Sequence, residues 1–167
     1  VHTQAFVYAT LPFVNVAELF ERMSLPVPRI LGHDDDLGIL ALEDLGDVTL
    51  QARLEGASQA EAVGLYRQAV DVIATMQRRG PDLASARYVP YGLAFDVEKL
   101  TWEMEFFLTH FLEAYLGASI RGAERAAIRG ELGRLVEELA AEPRVLCHRD
   151  FHSRNLMMHA DRVWVID

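Results

Sequence analysis

The most informative stretch of this chain is Cys147-His148-Arg149-Asp150-Phe151-His152-Ser153-Arg154-Asn155. An aspartate follows His-Arg, and an asparagine stands five residues after that aspartate. A carboxylate can accept the proton of an attacking hydroxyl, and amide and carboxylate oxygens are ligands that Mg²⁺ prefers. The stretch therefore predicts a loop for phosphoryl transfer. The alternative is a structural turn in which Asp150 and Asn155 only hydrogen-bond the backbone.

A predicted hairpin follows this loop and returns the chain towards it. Leu156 to His159 and Arg162 to Ile166 form its strands, around a turn at Ala160-Asp161. The second strand leads to Asp167. The hairpin would thus bring Asn155 and Asp167, twelve residues apart, to one metal ion.

The composition is that of an ordinary globular protein. The 167 residues include 51% hydrophobic and 25% charged residues, and the net charge is −9. A chain of this length buries roughly 70% of its unfolded surface and needs no disulfide. The acidic balance argues against a nucleic-acid partner, and no apolar run approaches the ~18 residues of a membrane span. The single cysteine, Cys147, is expected to be a buried, inert thiol in an apolar strand and indicates a reducing, cytoplasmic location.

The chain before the long helices is predicted to contain one helix and one hairpin. Apolar residues recur at helical spacing from Phe13 to Met23. Arg29 to His33 and Gly38 to Leu42 are the predicted strands of the hairpin. The segment Glu43-Asp44-Leu45-Gly46-Asp47 breaks the pattern and is predicted to be a connector.

Three longer helices are predicted after the connector. Ser58 and Glu61 form a capping box that starts the first, whose inward face is expected at Val63, Tyr66, Val70, Ile73 and either Met76 or Gln77. A second helix begins at Asp96 and runs to about Leu116, and a third covers about Ala123 to Ala141. The aromatic residues of the second helix, from Trp102 to Tyr115, fit a core better than a substrate pocket, although both remain open.

The chain resembles the aminoglycoside phosphotransferase/choline kinase family, which has a protein-kinase-like fold. The order and spacing match from about Phe13 to Asp167. Within that family it is most similar to bacterial kinases that phosphorylate the anomeric hydroxyl of N-acetylmuramate and N-acetylglucosamine in cell-wall recycling. Three stretches carry the resemblance: Leu25 to Leu31, Leu42 to Asp47, and His148 to Met157.

The resemblance implies an α+β fold with a mostly helical C-terminal lobe and a partial N-terminal lobe. Residues 1–46 would be the partial small lobe and the connector. Residues 47–167 would be the large lobe, truncated at its C-terminal end. The family's glycine-rich loop and phosphate-binding lysine are missing, and the only lysine, Lys99, fits a solvated helix face. Both ends look cut, and we expect residues 1–167 alone to associate and to be inactive.

The resemblance also implies site residues and cofactors. Asp150 would be the catalytic base, and Asn155 and Asp167 would bind Mg²⁺. The connector residues would bind the adenine of ATP through their backbone: Glu43, Asp44 and Leu45.

Other roles are less determined. His152 would contact substrate or gate the metal, or it would only pack against the loop and bond the backbone. Arg154 and Glu103 are further candidate substrate residues. Either Glu18 or Glu21 would be the helix glutamate that pairs with the family's lysine.

These observations predict transfer of the ATP γ-phosphate to a hydroxyl of a small molecule, most simply an amino sugar. An aminoglycoside or a choline-like acceptor is an alternative within the same class. A kinase-like binding module without catalysis is an alternative of another class. The sequence does not determine the oligomeric state.

Overall fold

The computed structural model describes residues 4–166 and divides the chain into two compact units. The first unit combines Val1–Gly92 with Val145–Asp167, and the second unit is Leu93–Arg144. Helices and two small antiparallel sheets make this an α+β chain, as the sequence predicted. In the part of the chain that the structure describes, no helix is both long and apolar enough to cross a membrane.

The first unit begins with a helix and a hairpin, which confirms both predictions. Helix α1 spans Pro12–Arg22, and strands β1 (Ile30–Asp34) and β2 (Ile39–Leu42) pair antiparallel. The turn between the strands requires a glycine at position 38. Gly38 has a φ of +66°, and a Cβ there would lie 2.3 Å from the carbonyl oxygen of Gln4.

Two further helices follow the connector. The short helix α2, Leu50–Glu55, was not predicted; the Thr49 side chain caps it by accepting from the Ala52 amide at 3.1 Å. Helix α3 spans Gln59–Arg79 and starts with the predicted capping box at Ser58. Single-turn 3₁₀ helices lie outside these elements, at Tyr8–Thr10, Pro81–Leu83 and Val89–Gly92.

The predicted inward face of α3 was wrong except at Met76, which is buried. Val63, Tyr66 and Val70 are exposed, whereas the buried residues of this helix are Leu65, Ala69, Val72 and Met76. Both stripes are apolar at helical spacing, so the pattern alone does not distinguish them. The tertiary structure selects the second stripe, which packs against Leu19, Met23 and the last hairpin.

The predicted environment of Cys147 was also wrong. Residues 145–147 form no strand, and the Cys147 thiol is exposed. Of this short apolar run, Leu146 alone packs against the core of the first unit. An apolar run of three residues can be anchored by one side chain, and the other two then need not be buried.

The second unit consists of two helical elements. Helix α4 spans Val97–Phe106 and continues as a π-helical segment, Phe107–Tyr115; helix α5 spans Gly122–Ala141. Bidentate pairs join them: Arg129 to Glu105 at 2.7 Å for both contacts, and Arg125 to Glu113 at 2.6 and 3.0 Å. The Arg129 guanidinium holds the pKa of Glu105 below its usual value.

The π-helical segment changes which residues are buried. The sequence predicted one regular helix with Phe107, Phe111 and Tyr115 facing inward, but these are exposed and Leu108 is buried. A π-helix has more residues per turn than an α-helix, so the face that packs shifts along the sequence. The exposed rings form what we call the aromatic row: Trp102, Phe106, Phe107, His110, Phe111 and Tyr115.

Candidate active site

The loop from His148 to Asn155 brings the predicted base and a predicted metal ligand together. The Asn155 side-chain amide donates to Asp150 Oδ2 at 2.8 Å and to the Asp150 carbonyl oxygen at 3.1 Å. The Asp150 side chain keeps 71% of its surface exposed. The arrangement therefore presents an oriented carboxylate to solvent.

His152 lies on the other side of the same carboxylate. Its Nε2 is 3.3 Å from Asp150 Oδ1, and its Nδ1 accepts from the Arg154 amide at 3.2 Å. The Asn155 amide donates to the His152 carbonyl oxygen at 3.0 Å, which closes a tight turn. Three of the predicted site residues thus belong to one local network: Asp150, His152 and Asn155.

The first residue of the loop packs against aromatic side chains. The His148 ring lies 5.3 Å from the Phe151 ring, edge to face, and 6.2 Å from the Phe20 ring of α1. Arg149 adopts a φ of +74°, a left-handed conformation that costs an ordinary residue roughly 1–2 kcal/mol. This sharp turn lies between the half-buried ring of His148 and the exposed carboxylate of Asp150.

The hairpin after the loop confirms its predicted form. Strands β3 (Leu156–His159) and β4 (Arg162–Val165) pair antiparallel, and Ala160 and Asp161 both have positive φ, as a tight hairpin turn requires. The Ile166 amide donates to the Asn155 carbonyl oxygen at 3.2 Å. The hairpin thus returns to Asn155, while the predicted metal ligand Asp167 lies outside the described residues.

The residues that follow the connector are hydrogen-bonded to the loop and to the hairpin after it. The Gln51 amide donates to the Ser153 carbonyl oxygen at 3.0 Å, and the Met158 amide donates to that of Val48 at 2.8 Å. These bonds hold residues 48–51, which follow the connector, beside the loop and the last hairpin.

The connector residues themselves have defined partners. The Glu43 carboxylate pairs with Arg29 at 3.2 Å, which holds the pKa of Glu43 below its usual value. The Glu43 amide donates to the Arg29 carbonyl oxygen, and Asp44 Oδ1 accepts from the Gly46 amide at 2.8 Å. Leu45 is buried, and its carbonyl oxygen accepts from His159 Nδ1 at 3.3 Å. Within residues 4–166, the Glu43 carbonyl oxygen and the Leu45 amide have no protein partner.

An open groove of about 660 Å³, lined by both polar and apolar groups, borders the loop. Arg154 and His152 line it from the loop, Gln51 and Glu55 from α2, and Tyr66 from α3. The last three were not among the sequence candidates. Tyr66 reaches this groove because α3 buries the other of its two apolar stripes. The sequence pattern does not indicate which stripe is buried.

Glu103 belongs to the second unit. Its carboxylate pairs with Lys99 at 2.9 Å, and the lysine ammonium lies 3.9 Å from the centre of the Trp102 ring. Glu103 borders an open groove of about 470 Å³ along the aromatic row. Its predicted contact with substrate stays a prediction.

The two glutamates of α1 differ in their surroundings. Glu18 accepts two hydrogen bonds from Arg87, at 2.5 and 2.6 Å, and one from the Tyr88 hydroxyl at 3.2 Å. Glu21 is exposed, and its side chain has no hydrogen bond to any residue from 4 to 166. Which of them pairs with a lysine stays open.

The chain belongs to the phosphotransferase enzyme family, whose family model matches residues 6–167.

Among individual proteins, the chain is similar to enzymes named N-acetylmuramate/N-acetylglucosamine kinase. That of Pseudomonas aeruginosa is 33% identical over 156 residues, covering 93% of this chain and 43% of that protein. That of Neisseria meningitidis serogroup B is 30% identical over 157 residues, covering 93% and 44%. That of Pseudomonas putida is 31% identical over 156 residues, covering 93% and 43%. The chain thus spans less than half the length of these relatives.

Proposed function

We propose that this chain carries the catalytic loop and the nucleotide connector of a cytoplasmic, ATP- and Mg²⁺-dependent kinase. The acceptor would be the anomeric hydroxyl of an amino sugar, as in cell-wall recycling. The observation that carries the proposal is the exposed Asp150 carboxylate oriented by Asn155 at 2.8 Å. The names of the similar kinases support the choice of acceptor. In this proposal residues 1–46 belong to the small lobe and 47–167 to the large lobe.

Asp150 is the base in the proposed reaction. Its carboxylate accepts the proton of the acceptor hydroxyl as the hydroxyl oxygen forms a bond to the γ-phosphorus. The bond from that phosphorus to the bridging oxygen breaks, and ADP leaves. Because Asp150 is exposed, the proton can pass on to water after the transfer.

The donors present fit a magnesium ion. Asn155 uses its side-chain nitrogen to hold Asp150, so its side-chain oxygen stays available as a hard ligand. Asp167 would be the second protein ligand. Across residues 4–166, no three His, Cys, Asp or Glu side chains cluster as a metal site. Bound Mg²⁺ would neutralise charge on the phosphates.

The connector offers a matching edge for adenine. The unpartnered Glu43 carbonyl oxygen can accept from the base's exocyclic amine, and the unpartnered Leu45 amide can donate to the ring nitrogen beside it. The hydrogen bond from the Gly46 amide to Asp44 shapes the turn that presents these two groups. Gly46 has a φ of +80°, which favours glycine at this position.

The groove beside the loop is the proposed acceptor site. The Arg154 guanidinium forms no ion pair with another described residue, so it can pair with a carboxylate or a phosphate of the ligands. The hydroxyl of Tyr66 and the side chains of Gln51 and Glu55 can hydrogen-bond sugar hydroxyls. Glu103, in the second unit, stays a separate candidate substrate residue and is not part of this groove; it lies beside the aromatic row.

The test is a phosphate-transfer screen of the full-length protein with ATP and Mg²⁺. The acceptors are N-acetylmuramate, N-acetylglucosamine, an aminoglycoside and choline, and the matched control acceptor is methyl N-acetylglucosaminide. We expect transfer to the two free sugars and none to the control, whose anomeric oxygen is blocked. Transfer to the aminoglycoside or to choline, and to neither free sugar, would mean that the proposed acceptor is wrong. Nucleotide binding without transfer to any acceptor would favour the non-catalytic module.

A further inference from the structure

The connector, residues 43–47, is attached to neighbouring strands at its two ends by backbone hydrogen bonds. At its start, the Glu43 amide donates to the Arg29 carbonyl oxygen at 2.8 Å, beside the pairing of β1 with β2. Just after its end, the Met158 amide of β3 donates to the Val48 carbonyl oxygen at 2.8 Å. The residues between these attachments need contacts of their own if their backbone is to keep one direction.

His159, the last residue of β3, provides such a contact. Its Nδ1 lies 3.3 Å from the Leu45 carbonyl oxygen in a hydrogen bond, and both residues belong to the first unit. Within residues 4–166, the other hydrogen bond of residues 44–47 is internal, from the Gly46 amide to Asp44 Oδ1 at 2.8 Å. The His159 side chain thus ties the middle of the connector to the last hairpin.

The surroundings of His159 fix both the proton and the ring. The Leu45 carbonyl oxygen can only accept, so the proton of this hydrogen bond is on His159 Nδ1. The half-buried ring meets the Trp164 ring edge to face, with centroids 5.7 Å apart. Trp164 Nε1 also donates to the His159 carbonyl oxygen at 3.1 Å, across the paired strands β3 and β4. The hairpin therefore presents a directed donor to the connector.

Leu45 is consequently held at two points. Its side chain is buried, and its carbonyl oxygen accepts from His159. Each residue has only two soft backbone dihedrals, so a fixed side chain and a fixed carbonyl leave the amide of the same residue little freedom to turn. In the proposed function, this amide donates to the adenine ring.

We infer that His159 is a positioning residue for the nucleotide, which holds the Leu45 backbone so that the Leu45 amide faces adenine together with the Glu43 carbonyl oxygen. This role rests on the proposed function and extends it to a residue outside the connector. His159 acts through Leu45 and not through a contact of its own with the base.

The effect should fall on nucleotide binding and not on the transfer step. An edge whose groups are already ordered loses no affinity to ordering them when the ligand binds. The net contribution of one hydrogen bond corresponds to roughly a 2- to 10-fold change in an equilibrium constant. We expect loss of the His159 donor to raise the KM and Kd for ATP by about 3- to 10-fold, with kcat within about two-fold of wild type.

Two amide variants separate the hydrogen bond from the presence of a polar side chain. The side-chain nitrogen of asparagine lies where His159 has Nδ1, so His159→Asn keeps the donor to Leu45. The side-chain nitrogen of glutamine lies where His159 has Nε2, so His159→Gln loses that donor at a similar size.

The experiment measures kcat, the KM for ATP and the calorimetric Kd for ATP in the full-length protein. We expect His159→Ala and His159→Gln to bind ATP more weakly and His159→Asn to recover most of the affinity. Arg162→Ala is the matched control, because exposed Arg162 lies opposite His159 in the same hairpin, and it should match wild type. Thermal unfolding of all variants checks that the fold is retained.

Inorganic tripolyphosphate, which has the phosphates of ATP and no base, shows where the effect arises. Its inhibition constant should be the same in wild type and in all His159 variants. An equal loss for ATP and tripolyphosphate would overturn the inference, since the hairpin would then act through the phosphates or their metal. Weak ATP binding in His159→Asn as well, with tripolyphosphate unaffected, would mean a direct contact of the ring with the base.

Failure of this role and failure of the proposed function give different results. Wild-type ATP affinity in His159→Ala and His159→Gln would reject the role of His159 and leave the kinase proposal intact. No ATP binding by the wild-type protein would reject both. Nitrogen-15 NMR of the full-length protein should show the proton of the neutral His159 ring on Nδ1, and an unprotonated Nδ1 would overturn the inference even in an active kinase.

Discussion

The catalytic loop and the aromatic row are both exposed, yet they are held in different ways. In the loop, the Asn155 side chain donates to Asp150 and the Arg154 amide donates to the His152 ring, so the hydrogen bonds join residues two to five apart. In the aromatic row, rings contact the next ring along the helix, as Phe107 and Phe111 do at 5.3 Å between centroids. In this loop, polar contacts between near neighbours in the sequence set the arrangement of the site side chains. A row of rings fits a buried or an exposed face equally well, and tertiary packing decides between them.

The largest effect should come from removing the base. Asp150→Asn keeps the shape of the side chain and its contact with Asn155 but loses most of its capacity to accept a proton. We expect turnover of the full-length protein to fall by ~10² or more while nucleotide affinity, measured by calorimetry, stays near wild type. Asp161→Asn is the matched control, since it makes the same change at an exposed hairpin turn. Near-normal turnover in Asp150→Asn would remove this residue from the role.

The aromatic row can be tested by stability. Leu108 is 1% exposed and Phe107 is 42% exposed, although a regular helix would have buried Phe107. Leu108→Ala should destabilise the full-length protein by about 2–4 kcal/mol because it leaves a cavity. Phe107→Ala should cost below about 1 kcal/mol. Urea unfolding measures both, and a larger cost for Phe107→Ala would contradict the π-helical register.

The smallest effect concerns the capping box of α3. Hydrogen bonds from Ser58, with a further one from Arg53, lower the pKa of Glu61 from 4.5 to about 2. A lowered pKa in the folded state stabilises the protein above the unfolded pKa, and this contribution is lost as the pH falls from about 4.5 towards 2. Glu61→Gln should therefore be slightly less stable than wild type at pH 7, and the difference should shrink over that pH range. A difference independent of pH would mean that the charge of Glu61 contributes nothing.

Features that depend on near neighbours in the chain could be predicted from the sequence. The Ser58 capping box, the Asp96 cap and the hairpin turn at Ala160 and Asp161 each need only a few adjacent residues, and all were predicted correctly. The pairing of Asp150 with Asn155 likewise spans five residues, and the motif indicated it. The roles of these residues in binding and transfer remain predictions.

The remaining features could be decided only by the tertiary structure. Two apolar stripes of α3 have the same spacing, and packing against α1 and the last hairpin buried the one with Leu65 and left Tyr66 facing the groove. The π-helical segment shifted burial from Phe107 to Leu108, and a single anchor at Leu146 left Cys147 exposed. A hydrophobic pattern shows which faces of a helix or strand can be buried. Which face is buried depends on the free energy of packing against residues that are distant in the sequence, and only the folded chain brings those residues together.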